Sequence, residues 1–489
     1  MKFPDLSDKT TRKIAFLLFL ISAFTYLYQK HSFSDSNSTN RLALCLALIE
    51  DQSVVIDRYH QFSIDICYRD GHYYCDKAPG VSFLALPFVA IGYGGLYLAG
   101  RTGHLNDYDP TDPLQPPNEF KILVVAGTII VSLLCAVGVC VMYFFLRMLG
   151  KPQGVAVFGA LLLAFATPYA IYATTLFSHS IAAAFLLSGT ALGLYLIHVR
   201  KETTSPTGIV LWVFCGLIFA YSVWIEYTAA VPACLLGLSL FLSMKRQGDS
   251  FTRMVFRTCL LIAGALPVAL GFFAYNTIAY GAPLELGYHF SPNFPKMDDG
   301  FFGIRFPVLS VLLQSLFSPK AGILWYSPVL FLSPFLAVDN IRRKCFPGLN
   351  FVCILISLYY FLLNSAYAYP DWRHTVASMP FLVLPIVLAW DSLVKPVRRL
   401  ALIPVFLSFL AGFFAINIPL SEELLDHPFK MAFIVEMFYK MNIRNLFFYF
   451  GMPPLLSIGV LLLLWTVFGL LIYRQLVRSE LRDPELLSH

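Results

Sequence analysis

Charge is what this 489-residue sequence has least of. Asp, Glu, Lys and Arg make up 13% of it, against 58% hydrophobic residues, whereas soluble domains carry roughly 25% charged residues. The shortage excludes an ordinary soluble domain. Recurring apolar runs of about 18 residues or more then predict an all-α polytopic membrane protein. The net charge of +6 sits in short basic clusters between those runs, the positive-inside pattern rather than a nucleic-acid surface. Cys-x-x-Cys pairs and a His-Glu-x-x-His helix are also lacking, so no strong protein metal site shows. No Ala-x-Ala site follows the apolar run Ile14–Tyr28. Behind Lys2, Lys9, Arg12 and Lys13, that run therefore reads as an uncleaved first span with a cytoplasmic start, rather than a signal peptide.

The remaining apolar stretches predict about 11 to 13 spans in a single integral membrane domain, residues 1–489. Basic clusters at Arg200–Lys201, Lys245–Arg246, Arg342–Lys344, Arg398–Arg399 and Arg474–Arg478 read as cytoplasmic. The other face receives a first loop (29–80), a second large loop (280–320), a C-terminal loop (421–445) and shorter turns near His179, Glu226 and Arg373. One conflict stands. Placing the first loop outside and Arg147–Lys151 inside requires an odd number of crossings, yet two apolar segments lie between them. Either one of them is re-entrant, Val81–Ala99 with Pro87 and several glycines being the better candidate, or the Arg147 side is assigned wrongly.

The first loop concentrates the titratable chemistry. It holds Asp35, Glu50, Asp51, Asp57, Asp65, Asp70 and Asp76 with Arg41, Arg58, Arg69 and Lys77. Asp35 follows the first span closely, at the height where water meets lipid. It is either a solvated carboxylate or a general base or anchor for an acceptor hydroxyl. Most of the other loop acids read as solvating charge. Arg41–Ile49 is apolar and too short to span, which predicts an interfacial helix lying on the membrane. Cys67 and Cys75, eight residues apart, are a candidate disulfide if the loop meets an oxidising compartment. Asp76-Lys77-Ala78-Pro79-Gly80 sets a cation at the mouth of the next apolar segment. Lys77 there either snorkels or pairs with a phosphate. Lys320, before Trp325 and Tyr326, repeats that arrangement, and Arg373 suits bidentate phosphate binding. His179, Glu226, Tyr288, Tyr326 and His374 border spans on the same side and complete the candidate pocket with Arg41 and Asp76. Asp35 with Asp76 is a pair able to hold a divalent cation, although no cofactor or metal is required by the spacing.

Several phrases carry a family resemblance. They are Asn40-Arg41-Leu42-Ala43-Leu44, Gly71-His72-Tyr73-Tyr74-Cys75-Asp76-Lys77-Ala78-Pro79-Gly80, Tyr275-Asn276 with Tyr280-Gly281-Ala282-Pro283, and Ser318-Pro319-Lys320-Ala321-Gly322-Ile323-Leu324-Trp325-Tyr326-Ser327-Pro328. In this order the chain resembles the GT-C superfamily of membrane glycosyltransferases, and within it the bacterial phospholipid-carrier-dependent branch, similar to protein O-mannosyltransferases and aminoarabinose transferases. The resemblance implies a GT-C-like helical bundle in a bacterial inner membrane, with its site on the extracytoplasmic face. It implies transfer of a sugar from a polyprenyl-phosphate donor to a glycan, lipid or protein acceptor, with inversion. Carried over, Asp35 orients or deprotonates the acceptor, and Lys77, Lys320 and Arg373 hold the departing phosphate. Two departures stand out. Asp35 is followed by Ser36-Asn37-Ser38 rather than a second acid and arginine, and Asp371-Trp372-Arg373-His374 replaces a Gly-Pro-Arg phrase. The alternative from another class is a transporter or flippase of lipid-linked sugars, which predicts related halves; no repeat is present.

Overall fold

The computed structural model describes residues 8–29, 35–109, 116–200, 203–318, 322–417, 445–449 and 451–480. The expected C-terminal loop lies outside these, apart from Asn445. The polypeptide is a helical bundle with two unlike ends. α1 (Lys9–Tyr28) starts at one end, where the Asp8 carboxylate accepts the Thr11 N–H at 3.0 Å, the side-chain cap that helix starts require. It rises to the other end, where the first loop folds; we call these the far end and the loop end.

The loop builds α2 (Ser36–Glu50), a hairpin of β1 (Ile66–Arg69) and β2 (His72–Cys75), and α3 (Gly80–Leu98). α2 does not lie on the membrane. Leu42, Leu44, Cys45, Leu46 and Ala47 are all fully buried, and Ser82 of α3 donates to the Arg41 carbonyl at 3.0 Å. The run Leu42–Ile49 is apolar on every face, the pattern of an internal helix rather than of an amphipathic surface one. The disulfide is also absent: Cys67 and Cys75 are free thiols. The antiparallel register sets Cys67 opposite Tyr74 and Cys75 opposite Ile66, so the two cysteines are one residue out of step and leave opposite faces of the ribbon.

α4 (Asn118–Met148) resolves the crossing conflict. At its start Phe120 packs on Tyr59 and Phe62, with centroids 6.3 and 4.8 Å away, so it begins at the loop end. Near its finish Cys140 Sγ donates to the Ala15 carbonyl at 3.1 Å, so it reaches the far end in a single pass. α3 therefore packs on the loop-end half of α4 and does not reach the far end. It runs antiparallel along the first half of α4, with Gly92 against Leu123 and Gly127 against Val89.

Thereafter the chain alternates. α5 (Gln153–Phe165) and the short α6 (Tyr169–Ala173) return to the loop end, where Tyr26 donates to the Ala164 carbonyl at 3.1 Å. α7 (His179–Tyr195), α8 (Pro206–Ile225), α9 (Ala230–Arg246) and α10 (Phe251–Tyr280) follow as four passes. A Cβ at Gly216 would lie 1.9 Å from the Leu261 carbonyl oxygen and one at Gly264 would lie 1.8 Å from that of Val213. α8 and α10 thus touch backbone to backbone through reciprocal glycines, the small-residue packing used between helices in lipid. A long segment folds over the loop end and descends as α11 (Leu309–Phe317), α12 (Ile323–Tyr326) and α13 (Leu332–Arg342). α14 (Pro347–Ala366), α15 (Met379–Trp390), α16 (Lys395–Asn417), α17 (Leu446–Tyr449) and α18 (Pro454–Glu480) complete the described bundle.

Eleven described helices, α3 among them, are long and apolar enough to cross a membrane. The protein is an integral multi-pass membrane protein. The predicted basic clusters that are described fall at far-end helix termini, including Arg147, Arg200, Arg246, Arg342 and Arg398.

Candidate active site

At the loop end, where helix starts and stops meet the two long loops, a cavity of about 90 Å³ opens between them. It gathers residues far apart in sequence. Arg41, Asp76, Lys77, His179, Glu226, Tyr288, Arg373 and His374 all line it, as the sequence anticipated for one pocket. Asp35 and Tyr326 do not. Lys320 lies outside the described residues.

α2 delivers one wall. Asp35 caps it, its carboxylate accepting the Ser38 N–H at 2.8 Å. Burial holds that carboxyl above its usual range, against the Ser38 hydrogen bonds and Arg41. The first turns of α2 then present Asn37, Asn40 and Arg41. Asn37 Nδ2 donates to Asp65 Oδ2 at 2.9 Å, and Asn40 Nδ2 donates to Asp76 Oδ1 at 2.8 Å and to the Asp65 carbonyl. The hairpin supplies the opposite edge: Asp65 precedes β1, and Asp76 and Lys77 follow β2. Lys77 Nζ sits 3.0 Å from Asp76 Oδ2 and 3.5 Å from Asp65 Oδ1. Burial raises the Asp76 carboxyl above its ordinary value despite Lys77. Burial works against the charge on Lys77, but Asp65 and Asp76 outweigh it and hold the ammonium above its ordinary value.

α7 and α8 bring the third wall. Ser178 Oγ donates to Glu226 Oε2 at 2.5 Å, His179 Nδ1 is 3.3 Å from the same oxygen, and Thr228 donates to Glu226 Oε1 at 3.2 Å. The fourth wall is the turn after α14. Asn364 Oδ1 accepts the Asp371 N–H at 2.9 Å and faces His374 Nδ1 at 3.0 Å. Arg373 Nε is 3.4 Å from Asp371 Oδ2. Burial opposes the Asp371 charge, but Arg373, His374 and the Arg373 N–H hold its carboxyl below the ordinary value. Tyr326 acts from behind, stacked on Trp372 at 4.9 Å and 10°. The second loop roofs the cavity through Tyr288, Phe294 and Met297. Tyr280 of α10 donates to the Cys75 carbonyl at 2.6 Å and ties that roof to the hairpin.

Sequence reasoning missed Asp65, Asn37, Asn40, Ser178 and Asn364. Asp65 is the important omission. It was counted among the solvating loop acids, yet it is 6% exposed. Its flanks, Ile64 and Ile66, were the available signal, because an acid inside an apolar strand start seldom faces water. Asp35 and Asp76, the pair read as able to hold a divalent cation, have separate partners. Asp76 already accepts from Asn40 and Lys77 in the cavity while Asp35 caps α2 outside its lining. Among the described residues no cluster of three His, Cys, Asp or Glu side chains could hold a metal ion.

The architecture has known counterparts. An oligosaccharyltransferase of Archaeoglobus fulgidus, solved tethered to an acceptor peptide, superposes with a TM-score of 0.51 at 12% identity over 86% of this chain. The fold is a GT-C-like all-α membrane bundle. ArnT from Cupriavidus metallidurans superposes with a TM-score of 0.49 at 14% identity, over 95% of this chain and 75% of its own. The chain spans 57% of the oligosaccharyltransferase's length. No family model and no curated protein matches the sequence. At such identity the GT-C likeness is one of fold, and chemistry has to come from the cavity itself.

Proposed function

We propose that the protein is a glycosyltransferase that takes a sugar from a polyprenyl-phosphate-linked donor and passes it, with inversion, to an acceptor hydroxyl at the loop end. The observation that carries this reading is a buried, hydrogen-bonded set of carboxylates and cations in a cavity at the end of an apolar bundle. A lipid-linked sugar phosphate has that polarity, with an anionic head at the interface and a tail in the bilayer. In the reaction the acceptor O–H gives its proton to a carboxylate and the acceptor oxygen bonds to the anomeric carbon. The anomeric C–O bond to phosphate breaks, and its electrons leave on the polyprenyl phosphate. A cation-stabilised phosphate is a good leaving group, so one base and charge stabilisation suffice.

We assign the base to Asp65. Among the described residues its Oδ1 faces only the Lys77 ammonium, at 3.5 Å, while both oxygens of Asp76 accept hydrogen bonds. Asp35 acts one step back, by capping the helix that positions Asn37, Asn40 and Arg41. Arg41, Lys77 and Arg373 form the cationic surroundings of the phosphate. The loop end then corresponds to the extracytoplasmic face.

The test is transfer from undecaprenyl-phosphate-linked labelled sugars by the purified protein in proteoliposomes, offered membrane and envelope fractions as acceptors. Label leaving the lipid supports the reading. Movement of the intact lipid-linked sugar between leaflets with no cleavage would make the protein a transporter instead.

A further inference from the structure

The cavity's cations are not equally available to a ligand. Lys77 is matched by two carboxylates, at 3.0 and 3.5 Å. Arg373 is paired with Asp371. Arg41 is different. It is 2% exposed and lines the cavity, yet no carboxylate oxygen among the described residues lies within 4.0 Å of it. Its Nη1 donates to the Asn37 carbonyl and to Asn37 Oδ1, both at 3.1 Å, and its Nη2 to Ser178 Oγ at 3.2 Å. These partners are neutral. Its Nε, fully shielded from water, has no partner at all. Glu226 reaches Arg41 only through the Ser178 hydroxyl. The guanidinium also lies 5.9 Å from the Phe177 ring, which offers a π-face rather than a full negative charge.

A buried guanidinium held in place by neutral acceptors, with an unbonded N–H and no carboxylate oxygen within 4.0 Å among the described residues, is costly unless something anionic completes it. We propose that Arg41 is the anchor for the phosphate of the lipid-linked donor, and that Lys77 is instead held by Asp65 and Asp76. This deepens the glycosyltransferase reading and rests on it. The chemistry fits: a glycosyl phosphodiester carries a single negative charge and offers oxygens to a guanidinium fork. The hydrogen bonds to Asn37 and Ser178 fix the plane of that fork before the ligand arrives. Asn37 also holds Asp65 at 2.9 Å, so one asparagine sets the spacing between anion anchor and base.

The experiment measures binding of undecaprenyl phosphate, without sugar, to nanodisc-embedded protein by native mass spectrometry. The wild type is compared with Arg41→Gln, Arg41→Lys and Lys77→Met, each checked for an intact melting transition. Arg41→Gln is expected to weaken binding roughly tenfold to hundredfold, the worth of a charge-assisted hydrogen bond. Arg41→Lys should recover part of that, because it restores charge but not the fork. Lys77→Met should weaken binding less than Arg41→Gln. Equal binding by wild type and a folded Arg41→Gln, or a larger loss in Lys77→Met, overturns the assignment to Arg41 while leaving the donor class standing. If Arg41→Gln does not fold, the Arg41→Lys arm decides: wild-type affinity there overturns the fork. Failure of the wild type to bind undecaprenyl phosphate removes the donor reading itself. Competition by inorganic phosphate at equal affinity would likewise replace the lipid donor with a free anion.

Discussion

The two ends of the bundle hold similar residue types and use them differently. At the far end charged groups pair two or three at a time around no shared cavity: Arg343 lies on the surface 2.8 Å from Asp339, the arginine 53% exposed, while Arg257 is buried against Asp249. The exposed pair contributes little, about 0–1 kcal/mol. A cavity of about 510 Å³ lies there too, walled by leucines, Met148 and phenylalanines, with Arg246 and His198 beside them. The loop-end cavity is far smaller, at about 90 Å³, but every wall carries an ionisable group fixed by hydrogen bonds or ion pairs. Volume therefore does not locate the chemistry in this molecule. The convergence of several ionisable groups on one cavity does.

The sharpest way to break that contrast is to remove one carboxylate at each end. Asp65→Asn should lower transfer by about 10²–10⁴-fold, the usual worth of a general base, while leaving the protein folded. Asp391→Asn, which takes the partner from Lys151 at the far end, should leave transfer unchanged. Comparable losses in both would mean that the carboxylates matter only for folding.

A second experiment uses pH. Burial raises the Asp76 carboxyl and Lys77 opposes that rise. Lys77→Met should therefore lift Asp76 further, so that the carboxylate ionises only at higher pH. The acid limb of the transfer–pH profile should move upward. An unmoved limb in folded protein would show that the Lys77–carboxylate cluster does not titrate in the rate-limiting step.

The smallest expected effect distinguishes capping from catalysis at Asp35. Alanine there should cost about 1 kcal/mol of stability, whereas asparagine, an equally good cap, should be near neutral and retain transfer. Thermal melts and turnover on both variants decide it. Loss of transfer in a fully stable Asp35→Asn would return the base to Asp35.

Much of this organisation could be read from the sequence because it rests on local physics. Apolar runs and flanking basic clusters fix the passes, and the helix-end positions of His179, Glu226 and Arg373 placed them on one side. The failures share a cause. Asp35, Asp65 and Asp76 are alike as isolated acids, and only tertiary packing decides that one caps a helix, one faces the cavity and one clasps a lysine. α2 was misassigned because a short apolar helix was matched to the bilayer surface, when its all-round apolar face matched the protein interior. Glycines 216 and 264 gave no signal either, since backbone contact between helices depends on which faces meet.

α3 has a consequence for the lipid around the protein. Its exposed flank is apolar, with Ile91 76%, Tyr97 67% and Leu98 88% exposed. A flank of that kind is covered more favourably by acyl chains than by water. The hydrophobic surface of the molecule thus extends along α3 as far as Leu98.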